Sequence, residues 1–299
     1  MKARSVEDPA AYAETVLPFL LGAPARHNLF LGILDTLQRR PTIYTAFHLW
    51  VVEDGGEVVG AALQTPPHNI AIAQPGAPGA VDALAVAIGE AGIRPPGVVG
   101  GLEEARAFAD TWCARLGGQH RTMNRQGVYE LTEIRDTGGA EGAARLATEE
   151  DLPLLLAWQA DFIAEAVPDH VGDDDAMRRR LTALVADDGF WLWVSGDRVS
   201  MTGVHEAPPA GVRIGPVYTP PSHRGHGFAT ALVAHASAHA LAHGNTRCYL
   251  HTDLANPTSN AISPGDTSPR HSRASCSRCA GSRRSSSRCC RASFSSCNS

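Results

Sequence analysis

The sequence lacks any run of about 18 apolar residues, the length that predicts a membrane-spanning helix. Its N-terminus reaches acidic residues before any apolar core, which is not the pattern of a secretory signal. Cysteine is scarce before the last 37 residues, where only Cys113 and Cys248 occur. Two isolated cysteines are typical of a reducing compartment. We therefore expect a cytoplasmic protein that does not associate with membranes.

Acidic residues are nearly missing from the C-terminal end. The formal net charge is −5, but residues 263–299 hold seven Arg against one acid, Asp266, a local balance of +6 that leaves −11 for the rest of the chain. A negative net charge over residues 1–262 disfavours non-specific binding to nucleic acid and is compatible with a substrate that carries an amine. We therefore expect no nucleic-acid partner.

Leucine, isoleucine and valine are absent from the same tail, residues 263–299. Serine makes up 13 of its 37 residues, and Phe294 is its one large apolar side chain. Such a composition cannot bury enough apolar surface to offset the entropy lost on ordering. The sequence therefore predicts a disordered tail.

Three explanations of this tail stay open. We favour a translation frameshift in a GC-rich gene, which would yield Arg, Ser, Ala and Cys by accident. A disordered tail that binds RNA or phosphate comes second. A zinc site built from Cys276, Cys279 and the pair Cys289-Cys290 comes last, because adjacent cysteines without apolar support are poor for a packed metal knuckle.

The chain before the tail divides into two halves. Residues 1–136 predict two helices, a hairpin over residues 47–63, and then a strand, a helix, a strand, a helix over residues 102–116 and a last strand. Residues 137–143 are rich in glycine and predict a linker. Residues 144–262 predict an opening strand, two helices, a second hairpin, a further strand, helix and strand, and a last helix with Asn256 as its cap.

The most informative stretch, residues 217–230, reads as strand, bend, glycine-spaced loop and helix. Pro220 and Pro221 cannot both lie inside a strand, so the strand must end near Thr219. Gly225 and Gly227 let the backbone approach a ligand closely. The unpaired N–H groups at the start of the following helix form a ready site for phosphate.

Two glycines before a helix more often mark a tight turn than an anion site, but the surrounding order is informative. Residues 213–229 read Arg-Ile-Gly-Pro-Val-Tyr-Thr-Pro-Pro-x-x-Arg-Gly-x-Gly-Phe-Ala. This segment resembles the acyl-CoA-binding motif of the GNAT superfamily of N-acetyltransferases. The resemblance implies a mixed α/β fold with two tandem GNAT-like domains, each a twisted mixed sheet flanked by helices. Residues 1–136 would be a degenerate domain and residues 144–262 the acetyltransferase domain.

The resemblance also implies the chemistry. Acetyl-CoA would be the cosubstrate, an amine of a small molecule or peptide would be the acceptor, and no metal would be needed. The strand would pair with the pantetheine arm, and the loop amides would hold the pyrophosphate. The residues implied to contact the cofactor are Val217, Tyr218, Thr219, Arg224, Gly225, His226, Gly227, Phe228, Ala229 and Asn256.

The corresponding loop of the first half reads Gln-Pro-Gly-Ala-Pro-Gly-Ala over residues 74–80. It contains glycines, but it lacks the Arg-Gly-x-Gly order and is interrupted by two prolines. We favour a degenerate repeat over a second cofactor site.

No catalytic base can be assigned from the sequence. Glu165, His205 and Glu206 lie on elements near the acceptor side, but each is more simply a structural or surface residue. Three histidines, at positions 235, 239 and 243, repeat every four residues on one helix. We interpret them as a polar surface face rather than a metal site, because no acid or cysteine is spaced to join them.

The C-terminus departs from the family pattern. In the family, the segment Asn-Pro-x-x-Asn-Ala-Ile is followed by a tyrosine that often protonates the departing CoA thiolate, and its place here is Ser263. The missing strands would also leave a sheet edge unprotected. We therefore predict an N-acetyltransferase impaired by its C-terminus, with a catalytically weak CoA-binding sensor as the alternative. The acceptor and the oligomeric state stay open.

Overall fold

A computed structural model describes residues 1–134, 139–166 and 174–254, together with the backbone of residues 272–280. The described chain divides into two compact units, of which the first contains Met1–Arg125 and the second begins at Gln126. Within the described ranges, no helix is long and apolar enough to cross a membrane.

The first unit alternates helices and strands, and its last strand comes from the C-terminal region of the chain. Its elements are β1 (Lys2–Val6), α1 (Pro9–Leu20), α2 (Pro24–Arg39), β2 (His48–Asp54), β3 (Glu57–Gln64), β4 (Ile70–Ile72), α3 (Ala80–Glu90), β5 (Val98–Gly101), α4 (Leu102–Leu116), β6 (Gln119–Leu131) and β12 (Ser272–Ala280). β6 crosses the division between the units, with Gln126–Leu131 in the second.

The sheet of this unit has the order β1-β2-β3-β4-β5-β12-β6. β1 to β4 are antiparallel neighbours, β4 and β5 run parallel, and β12 pairs antiparallel with β5. α3 and α4 bury apolar side chains such as Leu84, Ile88 and Phe108 against Val52 and Ile70 of the sheet. The buried hydroxyl of Tyr12 on α1 lies 2.9 Å from the carbonyl oxygen of Ala62 on β3, so α1 is fixed to the sheet as well.

The second unit repeats this plan. Its elements are β7 (Ala143–Leu146), α5 (Leu152–Ala166), α6 (Asp174–Ala186), β8 (Phe190–Ser195), β9 (Asp197–Glu206), β10 (Val212–Tyr218), α7 (Phe228–Ala242) and β11 (Cys248–Asp253), with the second part of β6. The strand order is β6-β11-β10-β9-β8-β7, with β10 and β11 parallel and the other neighbours antiparallel.

Helices cover both faces of the second sheet. On one face α7 packs Ala229, Leu232 and Val233 against the strands, and small alanines let this helix bury much of its circumference. On the other face α5 and α6 contribute Trp158 and Leu181 to a second apolar cluster. Buried sheets with helices on both faces are typical of α/β proteins. The predicted mixed α/β class, with two sheets flanked by helices, is therefore confirmed.

Two expectations differ from the structure. The prediction of an unprotected edge at the last strand of the second half is wrong, because β11 pairs along its length with β6, from Cys248 opposite Leu131 to Asp253 opposite Gln126. The sequence also missed β1. Most of the tail predicted to be disordered lies outside the described residues, and the part that is described, residues 272–280, forms β12. Asn256 and its predicted helix also lie outside.

Candidate functional site

Strands β10 and β11 are paired at only one end. Their parallel register runs from Val212 opposite Cys248 to Ile214 opposite Leu250. β10 then passes through an irregularity between Ile214 and Val217 and continues to Tyr218 alongside β9. The two parallel strands therefore part at their carboxyl ends, which is where open α/β sheets receive ligands.

Hydrogen bonds from Ser200 of β9 fix the end of β10. The Ser200 hydroxyl donates to the carbonyl oxygen of Tyr218 at 3.1 Å and accepts a hydrogen bond from the Thr219 hydroxyl at 2.9 Å. Ser200 and Thr219 are almost completely buried. The side chain of Thr219 is thus committed to the fold, so any contact of Thr219 with a ligand would have to come from its backbone.

The loop that follows turns through two glycines in the left-handed region, Gly225 at φ +85° and Gly227 at φ +75°. Gly225, His226 and Gly227 are exposed, and Phe228 and Ala229 are buried at the start of α7. Among the described residues, a Cβ added at Gly225 would meet nothing within 4 Å, and one added at Gly227 would meet only the Ala140 side chain, at 3.9 Å. The described part of the chain therefore leaves space at these two glycines.

The backbone N–H groups of this loop are unused. Within the described residues, the N–H groups of Gly225, His226, Gly227, Phe228 and Ala229 donate no hydrogen bond to the protein, and the first helical bond recorded here runs from Ala231 N–H to the Gly227 carbonyl at 3.0 Å. Five donors thus meet at an exposed helix N-terminus, where the helix dipole is positive. This arrangement can hold an oxyanion such as a phosphate group.

Arg224, at the start of the loop, turns its side chain toward α5 rather than toward these amides. Its Nη2 atom lies 2.7 Å and 3.0 Å from the two carboxylate oxygens of Glu165, and its Nε atom donates to the Thr219 carbonyl at 2.9 Å. The guanidinium also lies 5.9 Å from the ring centroid of Tyr218. The predicted cofactor residue Arg224 is therefore paired with an acid in this structure.

Tyr218 lies between the strand end and this ion pair. Its hydroxyl is 3.5 Å from the nearer carboxylate oxygen of Glu165. Burial, followed by the negative charges of Glu165 and Asp161, raises the pKa of the Tyr218 phenol to about 12. The phenol therefore stays protonated at neutral pH and can donate a hydrogen bond.

The comparisons with known proteins agree with this geometry. Residues 154–262 match the model of the Acetyltransferase (GNAT) family. Residues 154–262 of this chain are thus similar to a GNAT acetyltransferase domain. No curated protein matches the sequence.

Solved structures of similar fold include several GNAT proteins. A GNAT-family acetyltransferase from Colwellia psychrerythraea has a TM-score of 0.54 at 13% identity, covering 93% of this chain and 100% of its own. A GCN5-related N-acetyltransferase from Sphaerobacter thermophilus has a TM-score of 0.58 at 15% identity, covering 93% and 96%. A tandem GNAT protein from the clavulanic acid biosynthesis pathway has a TM-score of 0.55 at 16% identity, covering 95% and 100%. At these identities the likeness concerns the fold alone.

The loop over residues 74–80 of the first unit, which the sequence predicts to be the counterpart of the loop at residues 224–229, has amides that bond to neighbouring residues. The N–H of Gln74 donates to Nε2 of His27 at 2.9 Å, and the N–H of Gly76 donates to the Val59 carbonyl at 2.8 Å. A Cβ added at Gly76 would meet the Phe19 ring at 3.3 Å. In contrast to the GNAT domain, amides of this loop are consumed inside the unit.

His27 is the residue that closes it. Its ring is buried, and its Nδ1 lies 2.7 Å from the carbonyl oxygen of Leu20, so Nδ1–H donates there and Nε2 accepts from Gln74. Burial lowers the pKa of His27, and the neighbouring charge of Arg26 adds to this. The neutral ring is therefore built into the fold.

The structure brings together only some of the catalytic candidates. Glu165 lies beside Tyr218 and Arg224, whereas His205 lies three residues along β9 from Thr202, which pairs with Val217. Burial and the charge of Arg213 lower the pKa of His205 well below its ordinary value. Glu206 is exposed at the same end of β9. Glu165 thus lies at the loop end of β10, whereas the His205 ring lies against the Gly215 backbone within the strand irregularity.

The remaining predicted residues fall elsewhere. The three histidines of α7 lie along the side of the helix that contacts Trp191, whose ring centroid is 4.8 Å from that of His239 and 5.0 Å from that of His235. Within the described residues, no group of three or more His, Cys, Asp or Glu side chains could hold a metal ion. Asn256 and Ser263 lie outside the described residues. Ser200 and the pairing of Glu165 with Arg224 were missed from the sequence.

Proposed function

We propose that the GNAT domain transfers the acetyl group of acetyl-CoA to the amine of a small molecule or peptide. The observation that carries this proposal is the set of five unused N–H groups at residues 225–229, on an exposed loop that begins a buried helix. A diphosphate is the part of acetyl-CoA that needs such donors. The place of the loop in a GNAT family match supports the same reading.

The binding mode follows from the two features of the site. The amides of residues 225–229 would hold the diphosphate. The pantetheine arm would then run into the space where β10 leaves β11, beside Val217 and Tyr218. This places the thioester near the strand irregularity that follows Ile214. Positioning of both reactants in a fixed geometry accounts for much of the rate that such a site can supply.

The reaction itself is a direct displacement. The neutral amine nitrogen attacks the thioester carbonyl carbon, a C–N bond forms, and the C–S bond breaks to give CoA thiolate. The amine loses a proton, and the thiolate takes one up. The protonated phenol of Tyr218 is a donor at the strand end, but the base and the acid of the reaction are not assigned.

The loop can be tested with a pair of variants that differ only in charge. Gly225→Asp and Gly225→Asn place side chains of similar shape at a position with φ +85°, where both carry the same backbone strain and no described residue lies within 4 Å of the added Cβ. The Asp carboxylate would repel the diphosphate and compete for the amides, so we expect acetyl-CoA to bind at least tenfold more weakly to Gly225→Asp than to Gly225→Asn, about 1.4 kcal/mol. The Kd values from isothermal titration calorimetry check this. Equal Kd values for the two variants would contradict the assignment of the loop.

A thiol-release assay with a panel of amines then separates an enzyme from a sensor. CoA release that requires an amine supports transfer. Tight binding of acetyl-CoA without release on any amine, in this chain and in a chain with a restored C-terminus, would favour the CoA-binding sensor.

We also propose that the C-terminus lowers the activity of this chain, because serine replaces the family tyrosine at position 263 and a serine hydroxyl is a much weaker acid than a phenol. The second reason expected from the sequence, an open sheet edge, has been removed by the pairing of β11 with β6. Restoring the alternative reading frame after Ile262 should raise turnover without a large change in acetyl-CoA affinity. Equal turnover by this chain and the restored chain would contradict the proposal that Ser263 lowers the activity.

The two halves of the chain have different roles in this proposal. We propose that residues 144–262 form the cofactor-binding domain and residues 1–136 a degenerate GNAT-like domain, joined by the linker 137–143. Consumption of the Gln74 and Gly76 amides within the first unit supports this.

A further inference from the structure

Arg224 links the glycine loop to the end of α5. Its backbone begins the loop whose amides face the open space, and its side chain is held at the end of α5 by Glu165. The ion pair is partly shielded, with 18% of the Arg224 side chain and 32% of the Glu165 side chain exposed. The two residues lie 59 positions apart in the sequence, so the contact joins α5 to the loop.

A diphosphate bound at the loop would compete for this guanidinium. It carries more negative charge than one carboxylate, and an arginine can hold its oxygens with two parallel hydrogen bonds. Since the loop amides already draw the diphosphate next to the Arg224 backbone, the side chain needs only to rotate about its own bonds to reach it. The exchange gives up the contacts with Glu165 and the hydrogen bond from Nε to the Thr219 carbonyl, but it keeps the guanidinium paired with an anion.

We propose that binding of acetyl-CoA moves Arg224 from Glu165 to the cofactor diphosphate, and that the released Glu165 carboxylate then binds the ammonium group of the acceptor. This inference rests on the proposed function. It makes Glu165 the residue that recognises a cationic amine, and Arg224 a positioning residue that keeps this carboxylate occupied until the cofactor is present. The acceptor therefore binds after acetyl-CoA.

The surroundings of Glu165 fit this role. Once Arg224 leaves, the carboxylate lies beside the Tyr218 hydroxyl, which is 3.5 Å away and remains protonated. Ser200 fixes the Tyr218 carbonyl and the Thr219 hydroxyl through hydrogen bonds. The Glu165 carboxylate thus lies at the carboxyl end of β10, at the entrance of the strand gap that the pantetheine arm would occupy.

The test is a set of acetyl-CoA affinities measured on the full chain. Glu165→Gln removes the competing charge, so we expect its Kd for acetyl-CoA to be lower than that of the unchanged protein by roughly threefold to tenfold. S-acetylpantetheine, which has no diphosphate, should bind both proteins equally. In an Arg224→Ala background, Glu165→Gln should bring no gain.

Asp161→Asn is the matched control. Asp161 lies on the same helix, one turn before Glu165, and is exposed. Its removal reports the general effect of one acid fewer near an anionic ligand, and we expect a smaller gain than with Glu165→Gln. Circular dichroism and thermal unfolding are used to check that each variant is folded.

The results distinguish failure of the Arg224 exchange from failure of the proposed acetyltransferase function. Weaker acetyl-CoA binding in Glu165→Gln would mean that Glu165 holds Arg224 ready for the diphosphate, and would overturn the exchange. A gain that persists in the Arg224→Ala background, or that Asp161→Asn reproduces in full, would overturn it too. If acetyl-CoA binds and Gly225→Asp weakens it, the proposed function stands whatever Glu165 does. If acetyl-CoA does not bind, both fall.

Discussion

Asp151, at the start of α5, accepts two hydrogen bonds from Arg145 of β7, at 2.6 Å and 2.9 Å. Arg198 of β9 donates a third at 3.2 Å, and the N–H of Thr148 a fourth at 2.9 Å. The Asp151 side chain is almost completely buried. One carboxylate thus joins the edge strand β7, the neighbouring region of β9 and the helix that carries Glu165.

Replacement of Asp151 by Asn should destabilise the second unit. The amide keeps the size of the carboxyl group but loses the charge and at least one acceptor, and it leaves Arg145 without its partner. We expect a loss of about 2 kcal/mol in the free energy of unfolding, measured by urea denaturation at neutral pH. The control is Asp197→Asn, which removes an exposed acid that also contacts Arg198, and should change the free energy of unfolding much less. Equal losses for both variants would contradict the role of burial.

The same carboxyl group predicts a pH dependence. Hydrogen bonds from Arg145 hold the pKa of Asp151 well below its usual range, so the unfolded chain binds a proton at a higher pH than the folded one. Its stabilising contribution is therefore complete above the ordinary aspartic acid pKa of about 3.9 and is lost as the pH falls below that value. Unfolding curves of the unchanged protein and of Asp151→Asn should converge toward acid pH. Curves that stay parallel from pH 7 to acid would count against this.

His27 predicts a second pH dependence, in the first unit and at a higher pH. Burial lowers its pKa in the folded state, whereas the unfolded chain takes up the proton near the ordinary value of about 6.5. The neutral ring therefore contributes fully above that pH, and the contribution falls as the pH drops toward the folded pKa. His27→Gln removes the ionisable ring, so the stability difference between the two proteins should change between about pH 7 and 5.

Hydrogen exchange locates that effect. The amide of Gln74 donates to the His27 ring, so its exchange should become faster in the unchanged protein as the pH is lowered, after correction for the intrinsic rate. The amide of Gly76 donates to the Val59 carbonyl and serves as the internal control. If both amides respond equally, the change does not arise at His27.

The sequence was informative where local pattern decides the structure. The predicted helix over residues 102–116 has the same bounds as α4, and the Gly55-Gly56 turn joins β2 to β3 as expected, because both glycines take positive φ angles. The loop at residues 225–227 also followed from its glycines and the helix behind it. These features depend on residues that are close together in the chain.

What the sequence did not reveal depends on distant partners. β1 reads Lys-Ala-Arg-Ser-Val, a weak strand pattern, and it forms by pairing with β2 some 45 residues later. The second part of β6 covers β11 through a pairing that no local signal marks. The contact of Arg224 with Glu165 likewise joins two elements that only the fold brings together.

Ser200 offers a test of how firmly the end of β10 is held. Ser200→Ala removes the donor to the Tyr218 carbonyl and the acceptor of the Thr219 hydroxyl, both buried, and should cost about 1–2 kcal/mol in the free energy of unfolding. Acetyl-CoA should bind more weakly, because the strand end that would face the pantetheine arm is no longer fixed. Ser222→Ala, at an exposed serine just after the bend, should leave stability unchanged. Unaltered stability in Ser200→Ala would show that this buried pair is dispensable.

The two units differ most in the state of their loop amides, and this predicts the number of cofactor sites. In the part of the chain that the structure describes, the amides of residues 225–229 donate no hydrogen bond, whereas those of Gln74 and Gly76 donate to His27 and Val59. Isothermal titration with acetyl-CoA should therefore give one site per chain, and Gly225→Asp should remove that binding without leaving a second, weaker phase. His27→Ala frees the Gln74 amide but leaves the Gly76 amide bonded and the Phe19 ring in place, so it should not create a site. Two binding events in the unchanged protein, or a site that appears in His27→Ala, would mean that the first unit has kept a cofactor loop that its own side chains only cover.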